Sequence, residues 1–159
     1  MSDHDSRRWS SVAARAEAVL CTVACRDEHV ERTYEAARHE RPEGWTYANE
    51  SRLRAIRQPV VAAALKRLND GAIGYSWPEF AENVAGDALN GIDFGALFGV
   101  AWWLLGWLLR AAFEAFVRWA VAYLVRLVID DIRERIFGQY ADLGPQSAVA
   151  AVWALEVGE

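Results

Sequence analysis

The sequence predicts an all-α protein: an N-terminal helical domain of three helices, then one long apolar helix, then a short C-terminal helical tail. Two observations support this prediction. Apolar residues recur at intervals of three and four through the first half, which is the periodicity of helices that bury one face. The second half contains a long apolar run whose few charges also fall at helical spacing. We therefore divide the chain into residues 1–90, 91–138 and 139–159.

The composition limits the classes of partner. The chain has 159 residues, of which 53% are hydrophobic and 25% charged, so it is expected to fold. Its formal net charge of -5 argues against nucleic acid as a partner, because binding to phosphates needs a basic surface. The eight tryptophans favour large packed contacts or a membrane interface. The polar N-terminus lacks the apolar stretch of a secretory signal peptide, and we expect none.

Residues 9–40 are predicted to form one helix that packs along a narrow apolar seam. The apolar positions recur roughly every 3.5 residues, which is typical of a heptad seam. They are Trp9, Val12 or Ala13, Ala16, Val19 or Leu20, Val23, Val30, Tyr34 and Ala37, and the pattern is broken once, at Arg26 and Asp27. Pro42 and Gly44 end this helix.

Two further helices complete the N-terminal domain. The second is predicted over 51–68, where Asn49 or Ser51 can cap its start and Pro59 predicts a kink or a restart. The third is predicted over 78–89. Its start has a serine cap, a proline in the first turn and a glutamate that can complete a capping box.

Cys21, Cys25 and His29 follow each other at intervals of four on the first predicted helix. An intact helix supplies poor geometry for a disulfide between the two cysteines, so we expect free thiols packed among apolar neighbours. One metal ion could use Cys25 and His29 but could hardly reach both ends of the row, which is about 12 Å long. The sequence has no second cysteine pair to complete a zinc site, and we expect neither a metal nor a cofactor.

The long apolar helix is predicted to start after Asp93, which can cap it, and to run over 94–137. No charged residue occurs over 94–109. Such a segment is about 24 Å long as a helix, slightly shorter than the ~30 Å hydrocarbon core of a bilayer. Counted over 92–109, with the flanking charges reaching towards water, it is predicted to be just able to span a membrane.

Glycines mark this segment as a helix-association face. Gly91, Gly95 and Gly99 are four residues apart, and Gly106 follows one heptad after Gly99. Glycines at this spacing lie on one side of a helix, where they let another backbone approach closely.

A stripe of charged residues follows the uncharged run. Arg110, Glu114 and Arg118 lie at successive i, i+4 positions, and Arg126 and Asp130 repeat the spacing. A helix with a narrow polar stripe and apolar surface elsewhere needs lipid or protein around it. Several copies in a ring could turn their stripes towards a wet lumen. The alternative is a helical bundle in water, whose stripe faces the solvent.

No catalytic motif is recognisable in the sequence. A nucleophile elbow, a phosphate-binding loop and a dinucleotide fingerprint are all missing, and the Glu-x-x-His pairs of a di-iron bundle do not occur. Glu35 and His39 lie one turn apart, but a solvated pair is the better interpretation. We therefore expect that the protein is not an enzyme.

The functional prediction follows from the apolar helix. It is a non-enzymatic, oligomeric structural protein that associates with or spans a membrane and could line a conduit, by analogy with virion or phage components. Its expected partners are copies of itself, other subunits of an assembly and membrane lipid, and its expected location is a membrane or a virion-like particle. The alternative is a soluble helical adaptor or scaffold subunit whose apolar helix is buried against partner chains. A cellular channel or holin-like protein is the third candidate.

Overall fold

The computed structural model describes residues 3–99, 102 and 104–156, and the regular structure in that part of the chain is helical. This confirms the all-α fold class. The α-helices are α1 (Asp3–Leu20), α2 (Val23–Glu40), α3 (Pro42–Trp45), α4 (Glu50–Asp70), α5 (Trp77–Asn90), α6 (Phe94–Phe98), α7 (Trp107–Ile132) and α8 (Pro145–Glu156). A π-helical turn, Arg133–Phe137, and a 3-10 turn, Gly138–Tyr140, follow α7.

Helix α7 packs into the bundle along one side. It packs against α1, α2, α4 and α5, and its inward face belongs to the one hydrophobic core that also receives side chains from those helices and α8. Phe116, Val117, Ala120, Val121 and Leu124 are fully buried there. The second half of the chain therefore contributes one of the helices on which the N-terminal helices pack.

The single helix predicted over 9–40 is wrong, because the chain breaks between α1 and α2. Cys21 and Thr22 form the break. The hydroxyl of Thr22 accepts a hydrogen bond from the backbone N–H of Cys25 at 3.1 Å, so Thr22 is the N-cap of a new helix. A good cap inside the apolar pattern lets the chain change direction without leaving backbone donors unpaired.

The unbroken long helix predicted over 94–137 is also wrong. Helix α6 ends at Phe98, and the next residue, Gly99, has φ +89, a value that ends the helix and that residues with a side chain rarely adopt. Gly106 is the N-cap of α7 with extended backbone angles. Gly99 and Gly106, which were predicted to lie on a packing face, therefore lie at the end of one helix and at the start of the next.

The helix break lets α6 fold back onto α7 through stacked and tilted aromatic rings. Trp102, of which only 4% is exposed, stacks on Phe94 and Phe98 with ring centroids 5.3 and 5.6 Å apart. Phe98 also contacts Phe113 of α7 at 4.2 Å. These contacts close one end of the bundle and use apolar side chains that were assigned to lipid in the sequence analysis.

The prediction of a membrane-spanning helix is wrong. Among the described residues, no helix combines the length and the apolar content that a membrane crossing requires. The helix break divides the apolar run, and the inward apolar face of α7 is occupied by the core. The conduit, channel and virion predictions depended on that span, and we withdraw them with it.

Candidate functional site

The interior of the bundle contains a small polar cluster. Among the described residues, the buried polar or charged side chains are His29, Thr33 and Arg57. His29 and Arg57 contact each other and Cys25, which is also buried, and His29 contacts Asp131, of which 16% is exposed. We call Cys25, His29, Arg57 and Asp131 the interior cluster.

Three helices position the interior cluster. The N-cap at Thr22 starts α2 so that Cys25 and His29 lie one turn apart on its buried face. Arg57 comes from the buried face of α4, and Asp131 comes from the last turn of α7. The cluster therefore joins α2, α4 and α7 at the level where α1 ends.

The hydrogen bonds assign the proton on the imidazole. Arg57 Nε donates to His29 Nδ1 at 2.9 Å, and an arginine can only donate, so Nδ1 carries no proton. His29 Nε2 then carries the proton and donates it to Asp131 Oδ2 at 2.5 Å. Arg57 Nη2 also donates to the backbone carbonyl of Leu20 at 2.7 Å. A neutral imidazole thus connects a guanidinium to a carboxylate.

Cys25 completes the interior cluster as a thiol. Its Sγ lies 3.5 Å from Asp131 Oδ2, to which it donates, and 3.7 Å from His29 Nε2. Burial, reinforced by the charge of Asp131, raises the pKa of Cys25 above its ordinary value of 9.0. Burial also lowers the pKa of His29 below its ordinary value of 6.5, although the hydrogen bond to Asp131 opposes this shift.

This geometry does not fit nucleophilic catalysis. In a catalytic triad the nucleophile contacts one imidazole nitrogen and the carboxylate contacts the other. Here Cys25 and Asp131 both face Nε2 of His29, and Arg57 occupies Nδ1. A thiol with a raised pKa is also a poor nucleophile. The arrangement instead offers one sulfur, one nitrogen and one oxygen, all within 4.8 Å of one another, to a common centre.

The titration of the interior cluster makes stability depend on pH. Because the pKa of His29 is lowered in the folded chain, the unfolded chain binds a proton at this residue more readily below about pH 6.5. The free energy of unfolding should therefore fall as the pH decreases from 7 to 5. Above about pH 9 the unfolded chain loses the Cys25 proton before the folded chain does, so stability should fall again. Each slope is at most about 1.4 kcal/mol per pH unit.

Urea unfolding at a series of pH values measures both slopes. The groups around His29 are Asp131, Arg57, Cys25, Glu28 and Arg135. His29→Gln should flatten the acid slope, whereas His39→Gln, at an exposed position of the same helix, should leave it unchanged. An acid slope that persists in His29→Gln would show that another group causes it.

A second feature lies on the surface, where α7 begins. Leu104, Trp107, Leu108 and Leu109 expose 86, 76, 67 and 49% of their surfaces. We call these four residues the entry patch. The next turns of α7 bury their apolar residues in the core, so exposure is concentrated at this end of the helix.

The predicted glycine face is spread over several helix ends. Gly91 is the C-cap of α5, Gly95 lies within α6, Gly99 ends α6 and Gly106 precedes α7. They do not share one side of one helix, so the geometric basis for the association face is lost. A role of any single glycine in assembly remains a prediction.

The predicted polar stripe is only partly maintained. Glu114, Arg118, Arg126 and Asp130 are exposed along the outer side of α7, as the bundle alternative of the sequence analysis expects. Arg110 leaves the stripe, since its Nε donates to the backbone carbonyl of Trp102 at 3.0 Å and its guanidinium lies over the Trp102 ring.

Two of the four residues of the interior cluster, Arg57 and Asp131, were not predicted from the sequence. The i, i+4 spacing of Cys25 and His29 was a usable signal, but neither Arg57 nor Asp131 was among the candidate residues. Asp130 and Asp131 are neighbours in sequence, yet one faces solvent and the other reaches His29. No pattern in the sequence separates them without the packing of α2 against α7.

Comparisons with protein-family models, with curated proteins and with solved structures found no match.

Proposed function

We propose that this chain is a non-enzymatic helical adaptor or scaffold subunit that buries its entry patch against partner chains in a larger assembly. The observation that carries this proposal is the exposure of four large apolar side chains, Leu104 just before α7 and Trp107, Leu108 and Leu109 in its first turn. The rest of α7 is well packed on its inward side. Contiguous exposed apolar side chains of this kind mark interaction surfaces.

The small size of the entry patch limits how much binding free energy it can contribute. Burying one large apolar side chain contributes about 1.5–3 kcal/mol, so the four together contribute on the order of 10 kcal/mol at most. Association costs about 4–15 kcal/mol in lost translational and rotational freedom. The entry patch can therefore be the centre of an interface but needs a surrounding contact area. The outer side of α7, with Glu114 and Arg118 exposed, is suited to the polar rim of such an interface.

The first partner we propose is a second copy of the chain. In a two-fold dimer each copy presents the same surface to the other, so one apolar patch is enough to make a matched pair. The tryptophan of the entry patch, Trp107, suits this role, because aromatic side chains are enriched among the residues that dominate binding energy at interfaces.

Substituting the entry patch should abolish self-association. In Trp107→Ser with Leu108→Ser, the apolar contact is lost while the core is untouched, since both side chains are more than half exposed. We expect sedimentation velocity to show a dimer or larger species for the unmodified chain and a monomer for the double variant.

The matched control is Tyr75→Ser, which removes an aromatic side chain that is 88% exposed outside the entry patch. It should leave the sedimenting mass unchanged. An unmodified chain that stays monomeric up to high concentration, or a double variant with unchanged mass, would contradict self-association through this surface.

A further inference from the structure

We propose that Cys25, His29 and Asp131 form a binding site for a divalent transition metal ion of the zinc class. The proposal is independent of the assembly role of the entry patch. It arises because two helices bring three donor atoms of different chemistry to one point in the interior. A helical i, i+4 pair supplies the sulfur and the nitrogen, and α7 supplies the oxygen from the other side.

The separations of the donor atoms are close to those of a tetrahedral site. Zinc bonds of about 2.3 Å to sulfur and about 2.0 Å to nitrogen or oxygen place sulfur roughly 3.6 Å from the other two donors. The observed distances from Cys25 Sγ are 3.7 Å to His29 Nε2 and 3.5 Å to Asp131 Oδ2. Only the distance between Nε2 and Oδ2 must change, from 2.5 Å to about 3.3 Å.

The exchange of protons for metal keeps the charge of the interior low. In the metal-free state the thiol and the imidazole are neutral, and Arg57 and Asp131 balance each other. A divalent ion binds the sulfur as a thiolate and so releases the thiol proton. The Nε2 proton, which now lies between His29 and Asp131, must leave that nitrogen as well, because the metal takes its lone pair. If both protons leave the protein, the buried charges again sum to zero.

Arg57 sets the strength of this site. Its hydrogen bond to Nδ1 of His29 keeps that nitrogen unprotonated, so the metal-bound imidazole either becomes an imidazolate beside the guanidinium or gives up the bond. Losing a charged hydrogen bond costs about 1.5–3 kcal/mol, which weakens binding by roughly 10- to 150-fold. Arg57 Nη2 lies 3.9 Å from Cys25 Sγ and would stabilise the thiolate, which partly offsets this cost.

The identity of the ligands selects the class of metal. One thiolate, one imidazole and one carboxylate suit zinc and cobalt far better than calcium or magnesium, which bind oxygen ligands. Asp131 exposes 16% of its side chain, so water can reach the fourth tetrahedral position from that side.

Titration of the full-length protein with Co²⁺ under reducing conditions tests the proposal. We expect a thiolate-to-cobalt charge-transfer band in the near ultraviolet and the intense visible bands of a tetrahedral site. Zn²⁺ should displace the cobalt and raise the Tm of the protein. Cys25→Ser keeps a small hydroxyl that can still bond to Asp131, so it should fold while losing the charge-transfer band.

Two further variants make the test specific. Cys21→Ser removes the exposed cysteine one turn earlier and should leave the cobalt spectrum unchanged. Asp131→Asn keeps the size of the side chain and should weaken metal affinity at least about tenfold. The proposal is overturned if the unmodified protein gives no charge-transfer band, if the band survives in Cys25→Ser, or if it vanishes in Cys21→Ser.

Discussion

Replacing Arg57 by leucine is expected to lower the free energy of unfolding by about 3 kcal/mol. Arg57 is 5% exposed, and its guanidinium donates to His29 Nδ1 and to the carbonyl of Leu20. Leucine fills much of the volume but leaves both acceptors without a donor and removes the charge that balances Asp131. This loss of stability should lie at the lower end of the values for buried ion pairs. Asp131 is partly exposed, and Arg135 Nε, which lies 3.8 Å from Asp131 Oδ1, still balances its charge in part.

Urea unfolding followed by circular dichroism measures this loss. Arg54→Leu is the matched control, since Arg54 lies one turn earlier on α4 and pairs with Asp27 and Glu50 at the surface. Its loss should be at most about 1 kcal/mol, because exposed ion pairs contribute little. Equal losses for the two variants would show that the buried position of Arg57 contributes nothing beyond a surface ion pair.

Phe116→Ala is expected to destabilise the fold by about 3–5 kcal/mol. Phe116 is fully buried on the inward face of α7, against which the ring of Tyr47 lies at 6.1 Å. Removing the large ring leaves a cavity that the surrounding packed side chains cannot fill completely.

The matched control is Trp107→Ala, two and a half turns earlier on the same helix. Trp107 is 76% exposed, so the alanine variant should change the stability of the monomer by no more than about 0.5 kcal/mol. Thermal unfolding at low protein concentration compares the two. Comparable losses would mean that Trp107 is packed within the monomer, and the entry patch would then be smaller than we describe.

The helices of this chain were predictable because their signals are local. The cap at Ser76, the proline in the next turn and the glycine after Asp70 each define a helix end through contacts within a few residues. The same local logic failed where two rules competed. Thr22 is a good N-cap, but the apolar seam continues across it, and the seam predicts a single helix over 9–40.

The glycines of the apolar run show the same competition between two rules. Their spacing matched a packing motif of membrane helices, whereas Gly99 and Gly106 in fact end one helix and begin another. A glycine is compatible with both roles, since it allows close approach as well as positive φ. The choice depends on whether the flanking aromatic rings find partners, and those partners include Phe113, more than ten residues further along the chain.

What could be read from the amino-acid order was the helical class and several helix ends, among them those of α4 and α5, because periodicity and capping act over one or two turns. Tertiary packing determines where the apolar run lies and which charged residues meet in the interior. Arg57 and Asp131 are 74 positions apart, and nothing near either of them in sequence marks it as a buried partner of His29. Their pairing exists because α2 and α4 both pack against α7, and burial then makes an unpaired charge too costly to keep.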